Sequence, residues 1–252
     1  MKLFPRLSRF GKTAGFNRPA YRDYQREIGD FYLENYVRPL AKGKTILDIG
    51  CAEGGVLEAF KNDGFECTGL EYSEHRFNYA QETGSKEIKF IQGDIEEKKF
   101  KSKFDVILML DVFEHLEKKG EAMENIKQAL LPGGICVISF PPFRSAFGGH
   151  QQVMSSFLQF IPFLHLLPEK TYRWLLEHIE KKNVESFLRI CQTGITIRQF
   201  EKQIAQAGFE IKRKIFHFVR PRQAFRFGIK IKEYKSNFLR EYFATGAIYI
   251  LT

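Results

Sequence analysis

Apolar and polar positions between Tyr21 and Phe140 fall into two rhythms that take turns along the chain. Strand-length apolar runs recur at Thr45–Ile49, Glu66–Glu71, Ile88–Gln92, Phe104–Leu110 and Ile135–Phe140. Helical spacing separates them, in Val56, Leu57 and Phe60, in Ser73–Thr83 with Ser73 as N-cap, and in Glu121–Leu131 before Pro132-Gly133-Gly134. An opening helix is predicted over Tyr21–Leu40, where Tyr24, Ile28, Phe31, Tyr32 and Tyr36 form a stripe that Pro39 and Gly43 end. Phe104–Leu110 is apolar almost throughout, which suits a central parallel strand covered on both faces. Farther on, a helix over Thr193–Ala207, capped by Thr193 or Thr196, precedes a strand at Phe209–Phe218; Tyr242–Leu251 is predicted as the last strand.

The first strand runs into a small-residue turn, Gly50, Cys51, Ala52, Glu53, Gly54 and Gly55. Strand, glycine turn and helix start form a nucleotide-type cradle, because glycines admit a ligand to the backbone and helix N-termini offer free N–H groups. A pyrophosphate-binding turn has a middle glycine where this chain has Ala52. Carboxylates crowd the cradle instead: Asp48, Glu53, and the strand-end acids Glu71, Asp94 and Asp111. Such a set suits a cationic ligand. S-adenosylmethionine (SAM) has a sulfonium, an ammonium and a ribose diol, all of which need acceptors. Glu71 lies 21 residues past Gly50, where an acid takes both ribose hydroxyls, and Tyr72 is a candidate to stack on adenine.

At these residues the chain resembles class I SAM-dependent methyltransferases. LDIGCAEG is similar to their first motif, with Ala52 at its second glycine; LEYS, QGDI, DVILMLDVFEHL and LLPGGICVISFP follow in order. DVFEH resembles the branch that contains ubiquinone-biosynthesis O-methyltransferases. The resemblance implies an α/β, Rossmann-like seven-stranded, mostly parallel sheet with an antiparallel last strand, and a helical lid inserted after strand five, at 143–192. It implies that Asp48, Gly50, Cys51, Ala52, Gly54, Glu71, Tyr72, Asp94, Ile95 and Asp111 bind the cofactor, Asp94 and Ile95 through adenine. Tyr24, on the helix that covers the pocket in this family, is a further candidate contact. Ala52 is tolerable at its position if its backbone φ stays negative.

Size and charge sharpen this picture. A chain of 252 residues fits one domain with an elaboration, and the basic residues 1–19 are expected to form an irregular arm. The net charge of +9 is concentrated in 1–22 (six cations, no acid) and 212–240 (ten cations, one acid), so the remainder is net negative. The second stretch is expected to be a solvated hairpin extension. RNA, phosphate or an anionic lipid surface are the alternatives, and the absence of a recognisable RNA module argues against nucleic acid. Four scattered cysteines without metal spacing suggest buried free thiols in a reducing cytoplasm, no apolar leader is evident, and no metal is expected.

Residues 145–168 contain no Asp, Glu, Lys or Arg. They suit a lid over an apolar acceptor pocket, an oligomer contact, or a peripheral membrane patch. His150 and His115 are the candidate catalytic bases for a hydroxyl acceptor. Glu114, beside His115, is expected to serve the helix start rather than the chemistry. The resulting expectation is methyl transfer from SAM to oxygen on a small-molecule or lipid-like acceptor. RNA methylation and a non-catalytic SAM-binding protein are the alternatives, and the oligomeric state is open.

Overall fold

The computed structural model describes residues 18–252. The basic arm expected over 1–19 thus falls almost wholly outside the described residues. Helix α1 (Arg18–Tyr32) continues as one wider turn, Leu33–Val37. Then β1 (Thr45–Ile49), α2 (Gly55–Asn62), β2 (Glu66–Glu71), α3 (Glu74–Thr83), β3 (Lys89–Gln92) and β4 (Phe104–Leu110) alternate as the apolar rhythm predicts. A short turn at Phe113–His115 leads to α4 (Lys119–Ala129) and β5 (Leu130–Phe140). The helix expected to reach Leu131 stops at Ala129, because Leu130 already pairs with Phe104 across an irregularity in the β4–β5 ladder.

The insertion after β5 packs three single turns (Gln151–Val153, Phe157–Phe160, Leu164–Leu166) with α5 (Glu169–Leu175), whose last turn runs on to Glu180, and α6 (Val184–Thr193). It has its own small core, in which Met154, Leu158, Leu164, Tyr172, Leu176 and Phe187 meet. Buried Glu180 ties this unit together by accepting the backbone N–H groups of Ser155 and Ser156 at 2.8 and 2.9 Å. Helix α7 (Ile197–Gln206) starts at Thr196, whose hydroxyl accepts from Gln199 N at 3.1 Å in a capping box. Thr193, the other candidate cap, ends α6 instead.

The chain closes with β6 (Ile211–Val219), α8 (Pro221–Phe227), β7 (Lys232–Glu233), α9 (Arg240–Phe243) and β8 (Gly246–Leu251). The sheet order is β3-β2-β1-β4-β5-β8-β6-β7; β1 to β5 pair in parallel, and β8 runs antiparallel to both β5 and β6. The expected architecture is therefore present, with an eighth two-residue strand added at the outer edge. Tyr242 and Phe243 lie in a helical turn rather than in the last strand.

Period-two alternation sends neighbouring strand residues to opposite layers. Ile46, Val106, Leu108, Ile248 and Ile250 pack under α1 and α2. Leu47, Ile107, Met109, Tyr249 and Leu251 pack under α4 and α7. Because β1, β2 and β4 are parallel, their C-terminal tips open at one end of the sheet, where the carboxylates gather. All four cysteines are free; Cys51, Cys67 and Cys136 are buried.

Candidate functional site

The turn after β1 alternates into left-handed backbone, with φ of +75° at Gly50, +49° at Ala52 and +77° at Gly54. Glycine is needed at Gly50, where an added Cβ would lie 2.3 Å from a methyl of Val112. Ala52 corrects the expectation of a negative φ: it takes a conformation that disfavours any side chain. Its backbone N–H donates to Glu71 Oε2 at 2.8 Å, and Ser73 N donates to Oε1 at 2.9 Å. The Glu71 carboxylate thus fixes the turn, and each oxygen keeps a lone pair for a further donor. Ser73 caps α3 without a side-chain bond. Beside Glu71, Tyr72 stands 74% exposed.

Asp48, at the end of β1, and Cys51, within the turn, are both buried. Burial, then the charge of Glu71, pushes the Asp48 carboxyl up to about 8. Asp94 accepts from Glu96 N at 2.9 Å, and the carbonyl of buried Ile95 accepts from Asn125 Nδ2 at 2.8 Å. Asp111 sits at the β4 tip with φ of +56°. Its Oδ2 accepts from Arg220 Nη1 at 3.1 Å and from Arg222 Nη1 at 2.7 Å. Burial opposes its charge, yet the two guanidinium groups outweigh burial and hold the carboxyl below its usual range. The picture of five open negative charges is therefore corrected: Asp48 favours its neutral form, and Asp111 is already paired.

Arg220 and Arg222 lie in the stretch expected to form a solvated hairpin, and the sequence reading did not single them out. Nothing local in 212–240 signals a partner more than 100 residues away. Tyr24 is buried in the same seam, its hydroxyl donating to Arg222 O at 2.6 Å and its phenol pushed up to about 12 by burial.

Beyond Asp111 the chain brings together three groups from two segments. Glu114 Oε1 lies 3.7 Å from His150 Nε2 and 3.8 Å from His115 Nε2, and the two rings meet edge-on at 5.0 Å. Donor atoms of all three residues fall within 4.8 Å of one another, an arrangement that could hold a metal ion. Both Glu114 oxygens and His150 Nε2 are buried with no hydrogen-bond partner among the described residues. Burial, then the Asp111 charge, pushes Glu114 up to about 8; burial, then His115 and Arg220, pulls His150 down to about 3. Burial also lowers His115, whose side chain remains 47% exposed. Glu114 stands in the first turn of the short Phe113–His115 helix, as expected, and its carboxyl also belongs to this cluster. The other insertion histidines stand apart. His165 bonds Phe143 O at 2.5 Å, and His178 stacks on Trp174.

A family model described as a methyltransferase domain matches residues 20–213. The chain belongs to this family. It has the class I SAM-dependent methyltransferase fold, and its cofactor is SAM. The residues present fit that group: Glu71 offers free lone pairs to a diol, and Asp94 stands at the next strand tip.

The methyltransferase domain is 35% identical over 98 residues to the ubiquinone biosynthesis O-methyltransferase of Rickettsia canadensis (strain McKiel), a match that covers 37% of this chain and 41% of that relative. The chain spans well under two thirds of the length of the curated relatives it matches. Among solved structures, the PH0226 protein of Pyrococcus horikoshii OT3 aligns with a TM-score of 0.58 at 17% identity, over 94% of this chain and 92% of that one. The plantazolicin methyltransferase BpumL, solved with S-adenosylhomocysteine (SAH), aligns with a TM-score of 0.59 at 15% identity, over 98% and 93%. These two share the fold.

Proposed function

We propose that the domain transfers the methyl group of SAM to a hydroxyl of a small or lipid-like acceptor. The observation that carries this reading is the Glu114–His115–His150 cluster next to the β4 tip, which runs from buried Glu114 out to exposed His115. When bound, SAM supplies the activated methyl group. The chain's task is to align the acceptor, keep water out and remove a proton. His150 is neutral at physiological pH, so its Nε2 can accept that proton. The Asp111 charge favours the resulting imidazolium against the burial that opposes it. His150→Ala should lower turnover by roughly 10²–10⁴-fold while SAH affinity holds. An unchanged rate would remove His150 from the chemistry.

A second reading makes the same cluster a divalent-cation site, and its orphaned buried donors favour it. Turnover that survives exhaustive chelation supports proton transfer; turnover abolished by chelation and restored by Mn²⁺ supports the cation.

The lipid-like acceptor rests on the insertion's surface. Phe157, Phe160, Phe163, Leu166, Leu167 and Trp174 are exposed, on a unit whose 145–168 stretch carries no charge. Exposed large apolar side chains in such number mark a contact surface. No helix among the described residues is long and apolar enough to cross a membrane. We read the surface as a peripheral lipid contact that feeds an apolar acceptor into the site. Co-sedimentation with phosphatidylglycerol vesicles should fall when Phe157 and Phe160 are changed together to Ser; equal sedimentation of both proteins would refute the contact.

A further inference from the structure

The segment Arg220-Pro221-Arg222 brings two guanidinium groups onto one carboxylate oxygen, Asp111 Oδ2. Each position is built. Arg222 Nη2 donates to Tyr21 Oη at 2.8 Å, and its carbonyl accepts from Tyr24, so α1 fixes it from the other side. The Arg220 side chain is 11% exposed, and its Nε is buried with no hydrogen-bond partner among the described residues. Pro221 opens α8 and presets the backbone between the two arginines.

One carboxylate neutralises one of these cations. Among the described residues, Asp111 is the carboxylate that forms an ion pair with Arg220 and with Arg222, and no second one does. Two guanidinium groups therefore share one carboxylate oxygen at the β4 tip, and the Arg220 Nε stays buried and unpaired beside them. A buried N–H without an acceptor is costly, Arg222 stays 39% exposed and open to a ligand, and planar guanidinium groups match carboxylates in two-point contact.

We propose that Arg220 and Arg222 form a clamp for a ligand carboxylate in the methyl-transfer site. The inference deepens the proposed function and rests on it. The carboxylate has two sources: the amino-acid end of SAM, or an acid group on the acceptor.

Calorimetry on the full chain tests the clamp with SAH, 5′-methylthioadenosine (which lacks the amino-acid end), and, on SAH-saturated protein, 3-hydroxybenzoate against its neutral amide. If the donor's carboxylate is held, Arg222→Gln weakens SAH by about tenfold and leaves 5′-methylthioadenosine unchanged. If the acceptor's is held, SAH affinity persists while 3-hydroxybenzoate is weakened about tenfold and its amide is not. Arg222→Lys should recover part of either loss, which a merely structural role would not. Arg220→Gln, read by the same two ratios, serves if Arg222→Gln fails to fold. Ratios equal to wild type in both variants overturn the clamp. Wild-type protein that binds neither SAH nor 5′-methylthioadenosine overturns the methyl-donor reading itself, and the clamp with it.

Discussion

Glu71→Gln separates the turn's architecture from its ligand chemistry. Glu71 is 7% exposed and accepts one backbone N–H on each oxygen, from Ala52 and from Ser73. Glutamine has nearly the same shape but one acceptor oxygen, so in either flip one of those N–H groups faces an NH₂. A hydrogen bond to a charged group contributes about 1.5–3 kcal/mol, and the exchange leaves a buried donor unmet. Ala52 is held at φ +49° by one of these bonds, in a conformation that costs an L-residue roughly 1–2 kcal/mol. We expect the ligand-free variant to lose about 2 kcal/mol, which for a chain of this size lowers Tm by about 4–8 °C. Loss of acceptor capacity toward a diol should also weaken SAH by roughly 5- to 150-fold, as 1–3 kcal/mol implies. Thermal melts by circular dichroism and titration calorimetry measure the two effects separately. A variant that melts within about 1 °C of wild type and binds SAH as tightly would refute both roles.

Two further changes test the same end of the sheet. Ala52→Gly should raise Tm by a few degrees, since glycine accepts the left-handed turn at little steric cost; a lower Tm would show that Ala52 is not strained. Asp48 favours its proton in the folded chain up to about 8, so its contribution to stability is full below pH 3.8 and is lost as pH rises toward 8. Urea midpoints should accordingly move in favour of Asp48→Asn over wild type between pH 5.5 and pH 8. A shift the other way would place the Asp48 carboxylate among favourable partners.

The parallel half of the sheet was legible because burial on two faces writes long apolar runs, and β1, β2 and β4 fall where those runs lie. The position of Glu71 followed from its distance to the glycine turn. Contacts that cross the chain leave no local mark in the sequence. Asp111 meets Arg220 and Arg222 across 109 and 111 residues, and no local pattern marks such a pair. Glu114 is the helix-start acid that its own short segment suggests. It also faces the histidines because the chain reverses through left-handed Asp111 and because the insertion folds His150 back over it. Tyr242 and Phe243 have strand-like side chains, yet α9 turns there and Glu241 reaches back to accept Ile197 N and Arg198 N at the start of α7. A tertiary contact overrides local propensity at that point.

We propose that the turn at Gly50–Gly54 and the Glu71 carboxylate hold SAM rather than a pyrophosphate nucleotide. Titration of the purified chain with SAH and, separately, with NAD⁺ tests it most directly. We predict saturable one-to-one binding of SAH and none of NAD⁺; binding of NAD⁺ with indifference to SAH would contradict it.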